Sequence, residues 1–476
     1  MDRHVEVAIV GAGTAGLFAL RQVKKVTDSF VVIDGGHLGT TCARVGCMPS
    51  KVMIQAADDF HHRRHLDVMG IEGGDDLAMA WPRTLDYVRS MRDSFVEHVL
   101  GGPISKLGDE LIRGHARFVG PNVLEAGGET IRAERIILAT GSKPVVPKAW
   151  RAFGERVLTT DELFEQPALP ERMAVLGLGV IGLELGQALA RMGIEVTGFD
   201  MQERVGGLAD DAVNETAIAA LRREFPMNLG TRAELAEAPD GGIRVTAGDA
   251  QIDVDKVLVA TGRAPNVDGL GLEALGLPLD QRGVPVYDTQ TMKVPDAPIW
   301  IAGDANAELP LQHEARDEGQ IAGYNAAHNT NQRFRRRTPL TIVFANPNVV
   351  TIGESWAALQ NQDVVVGTCR FKGDQRSRIK HADTGVARIY ADRNDGRLRG
   401  ASLMAPGGEH MGHLLALAIQ HGLTAVDVLR MPFYHPTLEE RLQDAMREVI
   451  AATAQQPPQP VDLERLDTPA ERQAAA

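Results

Sequence analysis

Cysteine is scarce in this chain: Cys42, Cys47 and Cys369 are the only three in 476 residues. That is too few to staple a secreted scaffold of this length. No apolar run approaches the roughly 18 residues of a membrane span, which argues against a membrane protein. Positive charge is in deficit, with 50 Lys plus Arg against 63 Asp plus Glu, a net −13. That balance works against a phosphate-backbone partner, so no nucleic acid is expected. The first strand-like run, Val5 to Val10, starts so early that no basic, apolar and cleavage regions of a leader fit before it, and a cytoplasmic location is the expectation. The 44% hydrophobic and 24% charged residues are ordinary for a globular protein, and the length suggests about three domains. Cys42 and Cys47 stand five positions apart, a spacing that points to catalytic redox use or metal binding ahead of cross-linking. A zinc site needs about four ligands, and with no second cysteine pair no metal is expected.

What is present, twice, is a glycine-rich turn between a strand and a helix. VAIVGAGTAGLFAL runs an apolar strand into Gly11, Gly13 and Gly16, and the next strand, FVVID, ends at Asp34. MAVLGLGVIGLELGQALARMGIEVTGFD repeats the device with Gly177, Gly179, Gly182 and Asp200. Each acid follows its first glycine by 23 residues, close to the interval of about 20 in dinucleotide-binding βαβ units. Glycine lets the backbone approach a pyrophosphate seated on the positive end of a helix, and the carboxylate bonds a ribose hydroxyl. Two nucleotide sites follow. A carboxylate at Asp200 repels a 2′-phosphate, which favours NAD over NADP, while Arg204 nearby leaves NADP open. RIILATGSKP and KVLVATGRAP are a second echo, each an apolar strand expected to close one sheet, and short antiparallel strands are expected between residues 101 and 122 and between 232 and 253.

GTTCARVGCMPSK, Gly39 to Lys51, follows the first unit directly and resembles the active-site segment of the pyridine nucleotide-disulfide oxidoreductase family that includes dihydrolipoamide dehydrogenase, glutathione reductase and mercuric reductase. Further segments fall in that family's order: GLGVIGLE, ATGRAPN at Ala260 to Asn266, IAGDA at Ile301 to Ala305, GE at Gly353 and Glu354, and HPTLEE at His435 to Glu440. The resemblance implies an α/β fold with two Rossmann-like dinucleotide-binding domains and a C-terminal α+β dimerisation domain. An FAD domain would span 1–150 and 271–337, an NAD domain 151–270, and an interface domain 338–450 of a homodimer. The Gln-, Pro- and Ala-rich tail, 451–476, reads as disordered.

By the same resemblance, Cys42 is the thiol that exchanges with substrate and Cys47 the one that faces the flavin. Lys51 and Glu184 form an ion pair beside the ring. His435 is the base, oriented by Glu440, and reaches the other subunit's cysteines. Thr140, Gly141, Ser142, Gly303, Asp304 and His313 would line the flavin, and Gly262 and Arg263 belong to the cofactor-binding set. A hydride and a disulfide each exchange two electrons, so flavin stands between nicotinamide and sulfur.

Dihydrolipoamide oxidation by NAD⁺ leads, with the lipoyl group on a separate carrier. NAD(P)H-driven reduction of another disulfide uses the same groups, and a non-catalytic flavoprotein subunit would leave them without purpose. Absence of a cysteine pair after Cys369 disfavours mercuric and large thioredoxin reductases, and the presence of Cys42 disfavours transhydrogenase. Two departures stand out: Phe433 and Tyr434 precede His435 where the family typically has a second His, and Ala43-Arg44 replaces the usual Leu-Asn. Arg44 is either a charge favouring the thiolate or a surface or phosphate-contacting residue. Cys369 is read as an apolar filler, His61 to His65 as a polar helix face, and His410 and His413 as interface packing.

Overall fold

The computed structural model describes residues 2–454 and 459–464. Strand Asp2–Val10 ends in four buried residues whose side chains alternate between two cores. Val7 and Ile9 pack with helices Thr14–Val23 and Gln312–His328, and Ala8 and Val10 with the antiparallel strands and residues 267–307. The seven-stranded sheet orders Leu111–Arg113, Phe30–Asp34, Asp2–Val10, Glu129–Leu138, Val123–Ala126 and Arg117–Gly120, with Ile299–Ile301 also on Glu129–Leu138.

The chain leaves this sheet after Leu138 and returns at Ile299. In between it builds a second parallel sheet, ordered Met227–Leu229, Glu195–Asp200, Arg172–Leu176, Lys256–Val259 and Val157–Leu158. Both sheets place the strand after the glycine helix on one side of the first strand and the Ala-Thr-Gly strand on the other. Neither Ala-Thr-Gly strand closes its sheet as an edge. Glu129–Leu138 is ten residues long, so its first half pairs with Val123–Ala126 and its last three residues with Ile299–Ile301. Lys256–Val259 is flanked by Val157–Leu158.

The first expected antiparallel stretch also differs. Leu111–Arg113 joins the parallel sheet, and the antiparallel addition is Arg117–Gly120 with Val123–Ala126. The second forms a separate sheet of Glu234–Glu237, Ile243–Ala247 and Ala250–Val254. A two-stranded link, Ser142–Pro144 against Arg263–Pro265, ties the ends of the two Ala-Thr-Gly strands together.

The C-terminal part is a five-stranded antiparallel sheet, Leu340–Val343, Asn348–Gly353, Leu398–Ala405, Val386–Asp392 and Val364–Arg370, covered by helices Gly408–Gln420 and Leu442–Ala452. Buried Asp210 fastens it to the second unit: one oxygen caps helix Asp211–Leu221, and the other accepts from Arg388 at 2.7 Å and the Tyr390 hydroxyl at 2.8 Å. The expected disordered tail begins within the last helix, and the Val461 carbonyl accepts from Arg430 at 3.2 Å. Residues 455–458 and 465–476 of that tail lie outside the described residues.

Candidate active site

Cys42 lies in the single helical turn Thr41–Arg44, and Cys47 opens the 15-residue helix Cys47–His61. The turn is capped by Thr40, whose hydroxyl oxygen accepts the Ala43 N–H at 3.2 Å. Thr40 holds φ 64° and ψ 145°, a conformation otherwise nearly restricted to glycine and of the kind found at functional sites. The two thiols act on each other, and they titrate in opposite directions. Cys47 is lowered to about 7 from 9, chiefly because Cys42 donates to it, with the Lys51 ammonium helping and burial opposing. Cys42 is driven far up, because giving up its proton removes that donation and because it is buried. The helix N-terminus at Cys47 acts in the same sense. Lys51 and the helix start both favour the thiolate at Cys47.

Lys51, one turn along that helix, meets Glu184 at 2.7 Å. Glu184 comes from helix Val180–Arg191 of the second unit and is buried. Its other oxygen accepts the Phe344 N–H at 2.9 Å, and the Phe344 ring lies 4.7 Å from the Lys51 ammonium. Phe344 carries no signal in the sequence. Arg44 lines a cavity of about 460 Å³ with His37, Arg92 and Arg113, and donates to the His37 carbonyl; the cation acting on Cys47 is Lys51.

The residues fit two dinucleotides. A β-carbon on Gly11 or Gly177 would stand 2.2 or 2.4 Å from a backbone oxygen, and on Gly16 or Gly182 1.9 or 1.8 Å. On Gly13 or Gly179 it would meet nothing within 4 Å, and the helix begun there has no side-chain cap. The middle glycine thus leaves open space and uncapped N–H groups where a pyrophosphate would approach. Asp34 accepts the Ala12 and Gly36 N–H groups at 2.7 and 2.8 Å, and Asp200 those of Leu178 and Gln202 at 2.6 and 2.8 Å. Each acid is held by the same two backbone positions of its unit.

Thr140 keeps a buried hydroxyl oxygen with no protein partner, an orphan that a bound group would satisfy. Next to it, the Ser142 hydroxyl donates to Asp304 at 2.6 Å and accepts from Arg263 at 2.8 Å. Asn266 donates to the Thr140 and Gly141 carbonyls, and the Gly262 carbonyl accepts the Val145 N–H at 3.0 Å. Arg263 thus reaches back to the loop of the first unit. Gly303 is buried with φ 70°, and its N–H donates to fully buried Glu318 at 2.7 Å. Glu318, within LQHEARDEG, carries no signal in the sequence, because a helical Glu reads as a solvated charge. His313 opens helix Gln312–His328, half exposed, 3.7 Å from Glu314.

His435 is not joined to the cysteines of its own chain. Its Nδ1 lies 3.1 and 3.2 Å from the Glu440 oxygens, and the ring is 73% exposed, leaving Nε2 open. Glu440 also accepts the Thr437 N–H at 2.9 Å, and these bonds hold its carboxyl below the usual range. Tyr434 is exposed, and Phe433 packs on the C-terminal core. His65 stacks on His381 at 4.8 Å, and buried Cys369 is pushed up to about 12 by desolvation. Among the described residues no group of three His, Cys, Asp or Glu could hold a metal ion, and no helix is long and apolar enough to cross a membrane.

Residues 5–319 match the pyridine nucleotide-disulphide oxidoreductase family, and residues 340–446 its dimerisation domain. The chain belongs to this family. It is an enzyme whose cofactors are FAD and a pyridine nucleotide, working with a redox-active disulfide. It is 31% identical to a dihydrolipoyl dehydrogenase of Thermus scotoductus over 456 residues, 92% of this chain and 96% of that one. A dihydrolipoyl dehydrogenase of Halobacterium salinarum is 31% identical over 464 residues, 94% and 96% of the two chains. The fold is that of LpdA from Mycobacterium tuberculosis (TM-score 0.80, 23% identity, 93% of this chain and 99% of that one). It is equally that of the HOCl-induced flavoprotein disulfide reductase RclA from Escherichia coli (TM-score 0.79, 22% identity, 93% and 100%).

Proposed function

We propose that the chain oxidises a dihydrolipoyl group with NAD⁺, the lipoyl group arriving on a separate carrier protein, in a homodimer whose active site is shared between subunits. The observation that carries this reading is the pair of opposed thiols. A substrate thiolate attacks the Cys42 sulfur of the Cys42–Cys47 disulfide, and Cys47 departs as a thiolate, a good leaving group because its pKa is low. His435 of the partner subunit, oriented by Glu440, takes the proton from the second substrate thiol. That sulfur closes the substrate disulfide by displacing Cys42, which takes the proton back. Bound FAD would supply the two-electron relay by which the Cys42–Cys47 dithiol returns to the disulfide and NAD⁺ is reduced. Lys51, held by Glu184, would supply positive charge to the bound flavin. Asp34 with Gly11, Gly13 and Gly16 would hold the FAD pyrophosphate and ribose, Asp304 its ribityl chain, and Asp200 with Gly177, Gly179 and Gly182 the NAD.

The exposed His435–Glu440 pair, open at Nε2 on the segment matching the dimerisation domain, supports the shared site. The test is turnover of dihydrolipoamide with NAD⁺ set against glutathione and NADP⁺. Strong dihydrolipoamide turnover, abolished by Cys47→Ser and greatly slowed by His435→Gln, is expected. Mixed dimers of these two variants should regain activity through one intact site. Turnover indifferent to Cys47→Ser sinks the reading, and mixed dimers as inactive as their parents sink the shared site.

A further inference from the structure

We propose that Glu318 is a positioning residue that holds the turn Gly303–Asp304 against the flavin, and that Arg336, in the segment leading into the dimerisation domain, keeps Glu318 in place. The proposal rests on the reading that this turn faces FAD.

Glu318 is 0% exposed. It lies on helix Gln312–His328, which packs hard against helix Thr14–Val23: a β-carbon on Gly319 would stand 2.2 Å from the Ala15 oxygen, and one on Gly323 2.5 Å from the Ala19 oxygen. A carboxylate so enclosed must have every oxygen satisfied. One oxygen accepts the Gly303 N–H and the Asn306 amide, both at 2.7 Å. The other accepts from Arg336 at 2.9 Å, and the same guanidinium bonds Glu314 and the Thr289 carbonyl. The Gly303 amide is thereby fixed at the start of the turn carrying Asp304, whose carboxylate accepts from the Ser142 hydroxyl, itself bonded by Arg263. The turn is clamped at both of its residues. One clamp is anchored in residues 330–337, immediately before the first strand of the dimerisation sheet.

The decisive comparison removes the buried charge in both arms. In E318Q/R336M an acceptor for the Gly303 N–H remains; in E318L/R336M a side chain of similar volume offers none. Purified dimers would be stripped of FAD and reconstituted, with affinity, flavin circular dichroism and Tm measured separately. E318L/R336M should bind FAD about tenfold more weakly than E318Q/R336M and change the flavin dichroism, with Tm differing far less between the two. Equal affinities and spectra overturn the proposal. Should E318L/R336M fail to fold, R336M alone decides. It leaves Glu318 without its cation and should weaken FAD binding at least threefold; unchanged affinity overturns the proposal. A wild-type protein that binds no FAD would instead refute the reading of the turn itself.

Discussion

Replacing Cys42 with Ala removes the thiol that donates to Cys47, the largest influence on its titration. A hydrogen bond to a charged acceptor contributes about 1.5–3 kcal/mol, and about 1.4 kcal/mol moves a titration by one pH unit. Cys47, lowered to about 7, should therefore titrate between about 8 and 9 in Cys42→Ala. At pH 7.5 its thiolate fraction falls from about three-quarters to between about a quarter and about 3%. Alkylation rate is a poor reporter, because a thiol of higher pKa is also a better nucleophile. With a Brønsted coefficient of about 0.4–0.5, the net rate changes only about one- to fourfold. Ultraviolet thiolate absorbance of the reduced protein against pH is the proper assay. Cys42→Ser, which keeps an O–H donor, should return the midpoint most of the way. A midpoint still near 7 in Cys42→Ala would mean that Lys51 and the helix N-terminus lower Cys47 by themselves, and the proposed pairing of one donor thiol with one thiolate would fail.

The same titration gives opposite signs at the ion pair: Lys51→Met should raise the Cys47 midpoint and Glu184→Gln lower it, since the ammonium favours the thiolate and the carboxylate opposes it. Denaturant unfolding should show Glu184→Gln destabilised by about 1–3 kcal/mol, below the 3–5 of a fully enclosed pair because Lys51 is one-third exposed. Gly13→Ala should leave the stability of the FAD-free protein within about 0.5 kcal/mol yet sharply weaken FAD binding, whereas Gly16→Ala, forced onto the Gly11 oxygen, should impair folding itself; calorimetry and FAD titration separate the two. Asp210→Ala removes a helix cap and leaves Arg388 and the Tyr390 hydroxyl without their acceptor. A loss of about 3–5 kcal/mol in urea unfolding is expected, and a loss under 1 would show that the contact does not fasten the two parts.

Why some of this could be read from residues alone, and some not, follows from the range over which each feature acts. The glycine loops announce themselves because their requirement is local: a backbone oxygen two ångströms from a missing β-carbon, repeated in both units. The cysteine pair is readable as a pair, since a single turn and a helix start bring positions 42 and 47 together. Its asymmetry is readable only through the resemblance, because its physical cause depends on which sulfur begins the longer helix and which lies one helical turn from a lysine held by another unit. Glu318 stays hidden for the converse reason. On a helix, an acid is solvated or entombed according to what packs on that face, and its partners here, Gly303, Asn306 and Arg336, all come from outside its own helix. The edge strands were misplaced because one ten-residue strand serves different partners along its two halves, which no local pattern records. His435 is the extreme case: its orienting acid lies five residues away, yet within one chain it touches no cysteine. Its purpose would be set by a surface that only a second copy of the chain supplies, which is why complementation between inactive subunits tests it more directly than any substitution in a single one.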